Sequence, residues 1–134
     1  MYHGFSREQA EAYEKEARER WGEAIVEESK QRLKQMGKAG LDALKKEGED
    51  INRELSALMH LPPGDEQVQD LVKRHYNMTG RYYTVTPEIY LGLGDMYVDD
   101  GRFREHYDKY KEGLAAFLRD AIQIWLKNRT FGIL

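Results

Sequence analysis

Seven of the nine tyrosines fall in one stretch: Tyr76, Tyr82, Tyr83, Tyr90, Tyr97, Tyr107 and Tyr110, with Phe103 among them. A tyrosine is apolar along its ring and polar at its tip, and a buried hydroxyl needs a hydrogen-bond partner. A surface built from such residues can stack a planar molecule and hydrogen-bond its rim, which is how small-molecule clefts are lined. The competing reading is ordinary helical packing, with tyrosines edging a core. Other chemistry finds little footing. The chain has no cysteine, which excludes disulfides, thiolate nucleophiles and cysteine–zinc sites. His3, His60, His75 and His106 fall at no metal-ligand spacing. Leu91-Gly92-Leu93-Gly94-Asp95 holds a G-x-G, but without a third glycine or a preceding strand it makes a poor dinucleotide loop. Asp95 to Gly101 imitates a calcium loop, yet Tyr97 stands where an oxygen ligand is needed. Carboxylates are spread along helical charge faces. The residues point to binding without catalysis, cofactor or metal.

The elements that must position these residues are helices. The 134 residues are 40% hydrophobic and 34% charged, with a net charge of −3, which fits one domain with a real core. No basic stripe exists to grip phosphates, so direct nucleic-acid contact is not expected. No apolar run is long enough for a membrane span, and Met1 to Arg7 lacks a signal-peptide core. A cytoplasmic protein is the expectation.

Ser6 and Gln9 form a capping-box pattern that starts a first helix at Arg7. Gly22 breaks it. A second helix is expected over residues 23–36, bounded by Gly37 and Gly40. A third carries Leu41, Leu44, Ile51, Leu55 and Leu58 in a heptad-like seam, with Gly48 at one seam position, and stops at Pro62-Pro63-Gly64. Asp65 caps a fourth helix with Val68, Leu71, Val72 and His75 on one face, which Gly80 closes. Residues 81–85 read as an extended connector. Thr86-Pro87 starts a fifth helix, ended by Gly101. The steps from Phe103 through Tyr107, Tyr110, Leu114, Phe117 and Ala121 to Ile124 predict one last helix over residues 103–128. The fold class is therefore all-α, a single domain of about six helices over residues 1–134, with its core in residues 41–130.

One asymmetry follows. Residues 1–36 carry few apolar positions, whereas ordering each residue costs about 1–2 kcal/mol of backbone entropy. The amino-terminal helices are expected to be marginal alone and to gain order from a ligand.

Three blocks give the chain a family likeness. Arg18-Glu19-Arg20-Trp21-Gly22 resembles the ERWG signature near the start of TipAS domains. Leu93 to Phe103 resembles the L-x-E-M-Y-x-x-D-x-R-F block. Tyr107-Asp108 followed by residues 113–122 resembles the closing YD…G-x-A-x-F-L-x-x-A-I helix. The resemblance implies a globin-like, all-α effector domain of MerR-type transcription regulators. It implies a deep cleft for thiopeptide-like or other amphipathic drugs, and an amino-terminal segment that folds over the ligand. Any DNA contact would come from a fused domain. The founding member captures thiopeptides through a cysteine after an R-[FY]-Y run. Arg81-Tyr82-Tyr83 matches the run, but no cysteine follows, so binding here would be reversible. The expected cleft lining is Tyr82, Tyr83, Tyr90, Tyr97, Phe103 and Tyr107, with His75 and Met78 nearby and Tyr13 and Trp21 from the mobile side. A stand-alone drug-sequestering protein is a variant of this reading. The alternative from another class is an interaction domain that pairs through the Leu41–Leu58 seam.

Overall fold

The computed structural model describes residues 6–133, with side chains through Arg129; His3 lies outside that range. Six helices follow one another: α1 Arg7–Trp21, α2 Glu23–Ala57, α3 Glu66–Tyr82, α4 Pro87–Asp99, α5 Gly101–Asp108 and α6 Leu114–Ile133. Among the described residues there is no strand.

The start signals act as their residue types dictate. Ser6 Oγ accepts from the Gln9 backbone at 3.1 Å while Gln9 Oε1 accepts from the Ser6 backbone at 3.0 Å, so two orphan donors are satisfied together. Asp65 accepts from Gln67 N at 2.9 Å. Thr86 accepts from Ile89 N at 3.2 Å, with Pro87 in the first turn.

One interior boundary falls where expected and two differ. The boundary expected at Gly37 is a kink, where the second and third expected helices meet within α2. Only Gly37 leaves helical geometry, at φ 69° and ψ −179°, a conformation open to a residue without Cβ. The helix axis turns at Gly37, while Gly40 stays helical. Gly80 does not end α3, which runs on to Tyr82. The expected last helix is two. Gly113 turns the chain at φ 93°, and Asp108 accepts from Ala115 N at 2.9 Å across that turn, capping α6. Spacing carries across the break because Tyr107, Tyr110 and Leu114 all face inward on either side of it.

The core lies where α6 packs on α4 and α3, and α2 on α3. Leu114, Leu118, Ala121 and Ile122 of α6 are fully buried, as are Leu44, Ile51 and Leu55 of α2. The Leu41–Leu58 seam is thus covered by the chain's own helices. In residues 6–36 only Tyr13, Ala17, Val26 and Ser29 are buried, which matches the thin apolar pattern of that segment.

Candidate ligand cavity

A cavity of about 110 Å³ opens between the carboxyl-terminal half of α2 and helices α3, α4 and α5, with α1 above it. Eight of the ten expected residues line it: Tyr13, His75, Met78, Tyr82, Tyr83, Tyr97, Phe103 and Tyr107. Trp21 and Tyr90 do not. Trp21 lines a separate hollow of about 20 Å³ with Ala17, Ile25, Val26, Ser29 and Ile89. Tyr90 is fully buried beneath His75. A wall that the sequence did not suggest comes from α2: Lys45, Gly48, Glu49 and Asn52. Leu93 and Met96 of α4, Thr79, His106 and Tyr110 complete it. Gly48 leaves room for Met78, whose Sδ would stand 3.2 Å from an added Cβ. Among the described residues, no three His, Asp or Glu side chains converge as a metal ion would need.

The floor is a chain of hydrogen bonds. His75, 1% exposed, places Nδ1 2.8 Å from the Tyr90 hydroxyl and Nε2 3.1 Å from the Tyr107 hydroxyl. Tyr90 in turn donates to the Val72 carbonyl at 3.4 Å. That direction assigns the proton: Nδ1–H donates to Tyr90, and Nε2 accepts from Tyr107. The Tyr97 ring packs on Tyr107 with centroids 4.7 Å apart. Burial, aided by the nearby His106, pushes the imidazole pKa down to about 4, so His75 is neutral at pH 7. Burial raises the Tyr97, Tyr90 and Tyr107 hydroxyls well above their ordinary range. The floor is therefore uncharged, and its rings are held in fixed orientations.

Helix α1 closes the top. The Tyr13 ring meets Phe103 edge-on at 4.9 Å, and its hydroxyl reaches Met96 Sδ at 3.6 Å. Arg102 stacks 5.5 Å over Tyr13 and pairs with Glu16 at 2.5 Å and Asp100 at 2.6 Å. Farther along, Glu28 accepts from Thr84 N at 2.9 Å and from Thr84 Oγ1 at 2.5 Å. Arg32 donates to the Gly80 carbonyl at 2.6 Å and to Thr84 at 3.0 Å. The amino-terminal half of α2 is thereby tied to the connector between α3 and α4.

This arrangement has known counterparts. Residues 13–125 match the family model of the TipAS antibiotic-recognition domain. The chain belongs to that family. A solved TipAS structure from Streptomyces lividans, in complex with nosiheptide, superposes with a TM-score of 0.81 at 34% identity, covering 96% of this chain and 91% of that one. The transcriptional activator mta of Bacillus subtilis is 34% identical over 123 residues, 91% of this chain and 48% of its own length. TipA of Streptomyces coelicolor is 36% identical over 114 residues, 82% of this chain and 45% of its own length. The chain thus spans about half the length of the curated relatives it matches.

The TipAS blocks now acquire physical roles. Trp21, from the first block, seats against Gly92 of α4, just before the second. Arg18 bridges the α1–α2 turn by pairing with Glu14 at 3.0 Å, Glu23 at 2.8 Å and Glu27 at 2.7 Å. Arg102, from the second block, is the residue that stacks on Tyr13. Two of the three blocks therefore meet where α1 docks. A Cβ at Gly92 would come within 2.9 Å of Trp21 Cη2. Gly92→Ala should consequently push Trp21 out and speed amide exchange across α1. The same change should slow exchange in α4, since alanine favours a helix interior by about 1 kcal/mol over glycine. Unchanged α1 exchange would mean that Trp21 does not hold the helix.

Proposed function

We propose that this chain reversibly binds amphipathic, ring-bearing antibiotics in the aromatic cavity, as the ligand-sensing part of a MerR-type transcription activator in the cytoplasm. The observation that carries the reading is the cavity itself: tyrosines and phenylalanine from four helices and a connector, with Tyr13 of α1 closing it. Tyr13, Tyr82, Tyr83, Tyr97, Phe103 and Tyr107 supply stacking area, with Met78 as an adaptable thioether beside them. His75 fixes the orientation of Tyr107. Trp21 acts by anchoring α1, and Tyr90 by positioning His75. No catalytic step is required of any of them. With no cysteine in the chain, no thiolate can trap the ligand.

Drug-sized ligands occupy roughly 300–1,000 Å³, well above the present volume. A bulky antibiotic therefore requires α1 and the first half of α2 to lift away and reclose. A ligand that favours the reclosed form shifts the population by its differential affinity. The length of the curated relatives supports a fused DNA-binding part, which would read that shift.

Nosiheptide is a direct probe. Calorimetric titration should show binding that dialysis reverses, with no added mass on the protein, and amide exchange over residues 6–36 should slow in the complex. Absence of heat together with unchanged exchange would overturn the proposal.

A further inference from the structure

Asn52 stands out among the cavity residues. It is a carboxamide in the middle of an apolar helix face, one turn from Leu55 and beside fully buried Ile51. It is 4% exposed, and its Oδ1 is sealed from solvent with no hydrogen-bond partner among the described residues. Its backbone carbonyl is engaged by Ser56 Oγ at 2.7 Å, so Oδ1 is the acceptor left over. A buried acceptor without a partner is destabilising, more so than one hydrogen bond is stabilising. Native structures hold few such groups, and each calls for a cause.

The neighbouring floor groups are already engaged. Both His75 nitrogens bond to tyrosines, and Thr79 Oγ1 donates to the His75 carbonyl at 2.8 Å. Asn52 lines the aromatic box and holds an acceptor that no described residue engages. The charged residues Lys45 and Glu49 stand higher on α2, at the half-exposed mouth. Neutral His75 supplies no counter-charge below.

We propose that Asn52 is the hydrogen-bond anchor of the cavity and selects uncharged aromatic groups that carry a donor at the ring edge. The inference rests on the binding role proposed above and adds the polar determinant to it. A ligand ring slides between the tyrosines, and the Asn52 carboxamide turns to accept its N–H or O–H at Oδ1. A ring of equal shape with an acceptor there leaves two acceptors facing each other and binds more weakly.

Indole and 1-benzofuran have nearly the same outline and differ at that edge. Chemical-shift titration of the full chain should give indole about tenfold tighter binding than benzofuran, a difference of 1.4 kcal/mol. In Asn52→Leu, of similar volume but without the acceptor, the ratio should fall to about one. The same variant should melt at a higher temperature when empty, because the unsatisfied group is gone. Equal binding of both probes to the native chain would overturn the anchor and leave the cavity reading intact. A preference for indole that survives in Asn52→Leu would also overturn it. Failure of both probes to shift any cavity resonance would overturn the anchor together with the binding role on which it rests.

Discussion

Acidifying the protein from pH 7 to pH 4 should remove about 3 kcal/mol of folding stability through His75 alone. In the unfolded chain this imidazole takes its proton near pH 6.5, whereas in the fold it does so only at about 4. The folded value is the lower one. Stability is therefore fully present above the unfolded pKa, and it drains away as pH falls between those values. Protonation would also break the floor, because a cationic ring cannot accept from Tyr107 at Nε2. Urea denaturation at a series of pH values measures the effect. His75→Leu should be less stable at pH 7, since Tyr107 loses its acceptor, but its stability should vary far less over the same interval. A variant with the native pH dependence would show that another group is responsible.

Tyr13→Ala should weaken nosiheptide binding by about a hundredfold. Tyr13 is 2% exposed, and it combines an edge-on contact with Phe103, a stack beneath Arg102 and a contact to Met96. Aromatic pairs contribute about 0.5–1.5 kcal/mol beyond burial, and cation–π contacts about 0.5–1 kcal/mol. With the buried ring area, the sum approaches 3 kcal/mol, two decades of affinity. Tyr13→Phe keeps the ring and should stay within about threefold of the native affinity. Glu16→Ala removes only a partly exposed ion pair with Arg102 and should cost less than about 1 kcal/mol. Calorimetry orders the three variants, and amide exchange in α6 should be the same in all of them. Loss of α6 protection in Tyr13→Ala would show a structural role in place of a closing one.

The sequence made the helix starts legible because caps are local. Ser6 with Gln9, Asp65 and Thr86-Pro87 each satisfy their own helix end. Interruptions were harder to read. Gly37 does break its helix, whereas Gly80 stays inside α3 because propensity is a weak prior beside packing. Ties from Arg32 and Glu28 to the connector hold one side of Gly37, and buried Leu44 holds the other. The break before Leu114 escaped for the opposite reason. Inward-facing residues on two short helices happened to keep helical spacing through the turn.

For the cavity, tyrosines announce themselves by type. Polar residues on a long helix do not. Lys45, Glu49 and Asn52 look like a solvated face, and nothing local separates Asn52 from Asn77 or Asn128. Gly48 was the one available hint, a gap in an otherwise apolar seam. Tyr90 shows the converse, since its type fits a cleft wall while its position makes it a brace for His75.

The single break in α2 makes that helix a lever. Its fixed arm carries Lys45, Glu49 and Asn52, and its other arm, tied to the α3–α4 connector through Glu28 and Arg32, runs from Met36 back to Glu23. Fourteen residues at 1.5 Å each give that arm about 21 Å, so with those ties released, turning through about 15° at Gly37 would carry its far end about 5 Å. That displacement is about the width of an aromatic ring. A torsional change confined to one glycine could thus be read as a large movement at the end where Trp21 sits, while the floor beneath stays still.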